Sequence, residues 1–263
     1  MMQLSREEIN LWFCFYRDIR DTKLLGEYRL LLSESEHCQE RRFHFADDRH
    51  QYLITRALVR TILSRYAPIP PNQWTFSNNA YGKPEIANDN QDAMSISFNV
   101  SHTEGLILLG VTAKAALGVD VENFQARKFP LAIADSFFSS EEIHALNSAP
   151  VAAQQEHLFE FWTLKESYIK ARGMGLSIPL DHFGFRLQGN HISLSIHPKL
   201  NDDFARWHFW QLRTGRDYLM SVCAERFGCE RRILVCKEIV PLCREEIFHP
   251  DLMRESLLSS ISD

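Results

Sequence analysis

The 263-residue chain has no Cys-x-x-Cys pair. Its six cysteines (Cys14, Cys38, Cys223, Cys229, Cys236 and Cys243) are scattered, which argues against a zinc site. A disulfide framework has no support at this chain length, so free thiols in a reducing cytosol are expected. No apolar run approaches the roughly 20 residues needed to span a bilayer, so no membrane span is expected. The N-terminus has no basic segment followed by an apolar run and a cleavage site, so no signal peptide is expected and the location reads as cytoplasmic. Positive charge is not in excess: 29 Lys and Arg face 34 Asp and Glu, a net charge of −5. That balance argues against a dedicated nucleic-acid binder. The hydrophobic content, 45%, suits a globular chain with enough length for a sizeable core in one large or two small domains.

Against this background two stretches stand out. In Gly118-Val-Asp-Val-Glu122 apolar residues alternate with Asp120 and Glu122. The period of 2 predicts a strand with both carboxylates on one face. In Trp162-Thr-Leu-Lys-Glu-Ser-Tyr-Ile-Lys170, Trp162, Glu166 and Lys170 recur at i, i+4 and i+8. On a helix that is one stripe, with an acid beside a base. Three carboxylates and a lysine suit a hard divalent cation and a phosphate ester. Each piece has a plainer reading. An Asp-x-Glu pair is commonly a solvated strand face, and a Glu–Lys pair commonly a surface ion pair. Apolar flanks around the strand and Phe159, Phe161, Trp162, Tyr168 and Ile169 around the helix predict burial for both, where unaided charges are costly.

The rest of the chain falls into two series of elements. Ile9–Tyr16 reads as a buried strand, Asp21–Leu32 as a helix and Ser33–Phe45 as a charged helix or linker. Asp47 or Asp48 is placed to cap a long helix reaching Tyr66. Its Arg49, Arg56 and Arg60 form a stripe that reads either as an ion-paired face or as an anion-binding rim. Strands are expected at Trp74–Ser77, Met94–Val100 and Leu106–Thr112, with a turn cluster over Asn78–Pro84. The acidic strand then opens a second series. Two short helices (Phe129–Phe138, Ser140–Asn147) precede a long one, Gln154–Arg172, ended by Gly173. Strands follow near His182–Leu187, His191–Ile196, Arg206–Leu212 and Tyr218–Ala224. One more possible strand, Ile233–Cys236, leads into a polar tail. The order predicts an α+β fold of two similar subdomains, residues 1–113 and 114–228, with a C-terminal tail over 229–263.

Two further segments carry candidate chemistry. Ser101-His102 ends a strand, where a hydroxyl and an imidazole can grip a phosphate, although a packing role for His102 is as good a reading. Tyr81-Gly-Lys-Pro84 is first a turn; Gly82 permits close approach of a ligand and Lys83 can meet an anion.

The acidic strand, followed about 40 residues later by Phe161-Trp-Thr-Leu-Lys-Glu-Ser-Tyr-Ile-Lys-Ala171, resembles the two-part signature of the 4′-phosphopantetheinyl transferases. The long single-chain type that activates peptide and polyketide synthases fits best. Arg42-Phe43, the helix over Asp48–Arg60, Tyr81–Pro84, Phe98-Asn-Val-Ser-His102 and Gly173-Met-Gly-Leu-Ser177 resemble the family in order and spacing. The resemblance covers roughly residues 40 to 225. It implies two subdomains related by pseudo-two-fold symmetry, with coenzyme A in the cleft between them. It implies Mg²⁺ on Asp120, Glu122 and Glu166, and Lys170 on the phosphate under attack. Ser101, His102 and Lys83 would hold the 3′-phosphate and adenosine end, Tyr81 and Gly82 would line it, and Asn99 would support the loop. Glu166 and Lys170 are the catalytic candidates, with Glu166 the base. The implied partners are acyl and peptidyl carrier proteins of fatty-acid, polyketide, peptide and other secondary-metabolite synthases, met by a monomer. The chain departs from the family where Glu36 and Gln39 stand near positions often basic; Arg41, Arg42, Arg49 or Arg56 is the expected replacement. A metal-dependent phosphodiesterase or nuclease, and a non-enzymatic binding module with a dead site, are the alternatives the same acids leave open.

Overall fold

The computed structural model describes residues 2–126, 128–215, 217–227 and 232–256. In chain order the first elements are β1 (Glu8–Cys14), α1 (Thr22–Arg29), α2 (Glu34–Arg42) and α3 (Ala46–Leu63). Then come β2 (Phe76–Asn78), β3 (Pro84–Ile86), α4 (Gln91–Met94), β4 (Ile96–Thr103) and β5 (Leu106–Ala113). The second series is β6 (Leu117–Asn123), α5 (Ala134–Phe137), α6 (Ser140–Ser148), α7 (Val151–Arg172), β7 (Phe183–Gln188), β8 (His191–Ile196), β9 (Trp207–Thr214) and β10 (Tyr218–Glu225). The chain closes with β11 (Ile233–Val240), β12 (Arg244–Ile247) and β13 (Asp251–Ser256).

The fold is α+β. One sheet runs β12-β11-β1-β5-β4, the other β6-β10-β9-β13-β8-β7. The central strands β1, β5, β9 and β10 show two apolar faces, which is why they are apolar almost throughout. In β1, Trp12 and Cys14 enter the core under α1 and α3, whereas Ile9, Leu11 and Phe13 enter a core shared with the second sheet. In β10, Leu219 and Cys223 pack beneath α7, while Met220, Val222 and Ala224 face the first sheet. The result is four layers, helix on sheet on sheet on helix, with a separate core in each gap.

The residues expected as a polar tail are built into both sheets. β11 pairs parallel with β1, and β13 lies between β9 and β8. A short charged strand such as β12, Arg244-Glu-Glu-Ile247, gives no apolar alternation because it is an exposed edge. The flanking positions 229–231 and 257–263 of that expected tail lie outside the described residues.

One helix start differs from expectation. Phe45, not Asp47 or Asp48, precedes α3 without a side-chain cap, and both aspartates sit in its first turn, where negative charge suits the helix dipole. Helix α2 is capped by a reciprocal box between Ser33 and Glu36. Glu36 also accepts from Arg56 Nε (2.7 Å) and from Arg60 Nη2 (2.7 Å). Of the two readings of the arginine stripe, the ion-paired face is therefore the one these two side chains adopt. Arg49 and Arg41 are also engaged, on the Phe43 carbonyl and the Cys38 sulfur.

Candidate active site

The two sheets meet where β4 lies against β6, and side chains do the joining. Asn99, Ser101 and Thr103 alternate along β4 on one side. Asn99 Oδ1 accepts from Val119 N (2.8 Å), Ser101 Oγ from Val121 N (3.4 Å) and Thr103 Oγ1 from Asn123 N (3.1 Å). These three satisfy the N–H row of an edge strand that no backbone partner covers on that side. Asp120 and Glu122 alternate with the bonded residues of β6.

On its other side β6 lies directly on α7. The approach depends on Gly118: a Cβ there would overlap the Ser167 carbonyl oxygen and the Ala171 nitrogen. Glycine allows the strand backbone to touch the helix backbone. Two residues on, Asp120 reaches Lys170. Lys170 Nζ donates to Asp120 Oδ1 (2.6 Å) and Ser101 Oγ (3.0 Å), and Ser101 Oγ donates to Asp120 Oδ1 (2.9 Å). The other oxygen, Asp120 Oδ2, is buried with no hydrogen-bond partner. Glu166, one turn before Lys170, is pushed up to about 7 by burial and then by the Asp120 charge, with Lys170 opposing.

Beside this pair a cleft of about 400 Å³ is lined by Tyr81, Lys83, Asn99, Trp162, Glu166 and Lys170, among others. Gly82 stands in its wall at φ +89°, a value that glycine tolerates. Asn79 stitches this wall to the helix end, accepting from Tyr81 N and Lys83 N and donating to the Gly173 carbonyl (2.8 Å). Neither Asn79 nor the role of Gly118 was expected. An Asn opening a turn before Gly gives a local signal, but its partner Gly173 is distant in sequence. His102, at the end of β4, is exposed. The surrounding protein and then the Lys170 charge push its imidazole below the ordinary histidine value.

Two expected roles are altered by this geometry. Lys83 Nζ donates to the carbonyls of Leu117 (3.0 Å) and Lys170 (2.7 Å), so it ties β6 to the end of α7 with two of its three donors. Burial pushes its pKa down. The three carboxylates are also not gathered. Among the described residues no group of three or more His, Cys, Asp or Glu side chains stands close enough to hold a metal ion. Lys170 sits on Asp120, and Glu122 accepts a long bond from Thr103 Oγ1 (3.5 Å). The donor chemistry still fits a hard cation: every donor is a carboxylate oxygen, and Asp120 Oδ2 is buried without a partner.

Comparison with known proteins agrees with this geometry. Residues 116–223 match the family model of the 4′-phosphopantetheinyl transferase superfamily, and residues 22–114 match that of the 4′-phosphopantetheinyl transferase N-terminal region. The chain is 32% identical to 4′-phosphopantetheinyl transferase Sfp of Bacillus subtilis (strain 168) over 185 residues, 70% of this chain and 78% of that one. It is 33% identical to 4′-phosphopantetheinyl transferase ffp of Bacillus subtilis, over 71% of this chain and 79% of that one. It is 31% identical to 4′-phosphopantetheinyl transferase HetI of Nostoc sp. (strain PCC 7120), over 67% and 73%. With matches on both sides of the β4–β6 contact and relatives covered over most of their length, the chain belongs to the 4′-phosphopantetheinyl transferase family.

Proposed function

We propose that the chain moves the 4′-phosphopantetheine group of coenzyme A onto a serine hydroxyl of an acyl or peptidyl carrier protein. The observation that carries this reading is the Ser101–Asp120–Lys170 cluster, whose Lys170 lines a cleft together with Glu166. The carrier serine oxygen forms a bond to the β-phosphorus. The bond from that phosphorus to the bridging oxygen breaks, and 3′,5′-adenosine bisphosphate leaves with the electron pair. The serine proton must go to a base. Glu166 is the cleft carboxylate placed to take it, directly or across one water. Lys170, released from Asp120 toward the substrate, offsets charge gathering on the phosphate under attack. Ser101 and His102 hold the 3′-phosphate end, Tyr81 and Gly82 line it, and Asn99 and Lys83 fix the walls. Asp120, Glu122 and Glu166 are the residues that would hold Mg²⁺, which neutralises the pyrophosphate when bound.

The first half thus serves the adenosine side and the second the pyrophosphate side. One chain supplies both walls, so the working unit is a monomer. Among the described residues no helix is long and apolar enough to cross a membrane; a cytoplasmic site of action is part of the proposal. Incubation with coenzyme A, Mg²⁺ and an apo carrier protein tests the reading by the carrier's intact mass. Gain of one phosphopantetheine per carrier is expected. An unmodified carrier alongside cleaved coenzyme A would indicate a phosphodiesterase instead.

A further inference from the structure

On the side of the molecule formed by the C-terminal strands lies a groove of about 800 Å³, within the range of small-molecule sites. Its floor and walls include Trp210 and Leu212 of β9, Leu234 and Cys236 of β11, Phe248, and Leu252 of β13. This surface extends the core between the two sheets outward, since Leu234, Cys236 and Phe248 pack on its edge. The apolar rim is unusually bare: Ile233, Ile247 and Leu252 are all more than half exposed. At one end stands Arg232, 3% exposed. Its Nη1 donates to Thr112 Oγ1 (3.3 Å), and its Nε has no partner. No carboxylate pairs with it among the described residues: Glu225, whose charge reaches it, is bonded to Arg206 and Ala116 N. The one acid on the described wall, Glu255, accepts from His208 Nε2 (2.9 Å). Lys237, on the same lining, is already paired with Glu245 (3.1 Å). A buried guanidinium without a counter-charge is costly, and it leaves donors for an anion at the end of an apolar trough.

We propose that this groove binds a single-chain fatty acid, with its carboxylate on Arg232 and its hydrocarbon chain along Leu212, Leu234 and Leu252. The site is separate from the cleft beside Glu166 and shares no lining residue with it. Dodecanoate below its micelle concentration is the probe, read by methyl-labelled NMR of the intact protein. Saturable shifts at Leu234, Leu252 and Ile247 are expected, with micromolar affinity. Dodecanol should bind at least about tenfold more weakly, because it offers Arg232 no charge. In Arg232→Gln that preference should vanish while the methyl spectrum stays folded. If this variant does not fold, the head-group comparison on the unaltered protein decides alone. Absence of saturable shifts at these methyls, or equal affinity for the acid and the alcohol, overturns the proposal. So does a ligand-free, concentration-dependent shift of the same methyls, which would mean that a second copy covers the groove.

Discussion

Lys83 and His102 show that two basic residues near one cleft can hold different jobs. Both are basic and both lie near a cleft suited to a phosphorylated ligand. Lys83 commits two of its three N–H donors to backbone carbonyls. Lys83→Met should therefore cost roughly 2 kcal/mol of unfolding free energy, the scale of a charged hydrogen bond to a buried acceptor, with little effect on KM for coenzyme A. Denaturation and steady-state kinetics on one preparation check this; a raised KM at unchanged stability would return Lys83 to the phosphate. His102 is exposed and feels the Lys170 charge. His102→Ala should raise KM for coenzyme A roughly tenfold, the loss of one hydrogen bond, at near-normal kcat. Unchanged kinetics would leave His102 a packing residue.

At the scale of elements, the site is a contact between a strand and a helix that only a glycine permits. Gly118→Ala forces β6 away from the α7 backbone and carries Asp120 with it. The expected cost is about 3 kcal/mol, from overpacking against backbone that cannot yield. Displacement of Asp120 should lower kcat/KM by about 100-fold, and an alanine variant with normal melting and turnover would refute the contact. Helices α2 and α3 are joined by a different device, the Glu36 pair with Arg56 and Arg60. Burial pushes the Glu36 carboxyl up, but Arg56, the Ser33 N–H and Arg60 outweigh it and leave it below its ordinary 4.5. A carboxylate with a lowered folded pKa stabilises above its unfolded value and loses that contribution as pH falls through the folded one. Glu36→Gln should cost about 3 kcal/mol near neutrality. Its deficit against the parent should shrink as pH falls below about 4.5, as urea titrations at several pH values would show. A deficit independent of pH would mean the charge is not what joins the helices.

Over the whole molecule, the parts legible in the sequence were those whose pattern is local. The acidic strand announces itself by period 2 and α7 by its i, i+4, i+8 stripe, so the core elements of both halves fall close to their expected places. The side-chain ladder from Asn99, Ser101 and Thr103 to β6 was not legible, because its partners lie about 20 residues away and the bond type leaves no periodic mark. Nor were β12 and β13, whose neighbours β11, β9 and β8 are chosen by tertiary packing and whose exposed faces carry charge. The three carboxylates were expected together from the strand and helix spacing and from the family resemblance, whereas the contact of Lys170 with Asp120 joins residues 50 positions apart and leaves no local mark. The central claim, that the seam between β6 and α7 is where phosphopantetheine is transferred, is tested most directly by time-resolved carrier mass. The unaltered chain, Asp120→Ala and Glu166→Ala would each be supplied with coenzyme A, Mg²⁺ and one apo carrier. Complete conversion by the first, and rates lower by at least about 1000-fold for both folded variants, is the expected result. Near-normal conversion by either variant would contradict the assignment.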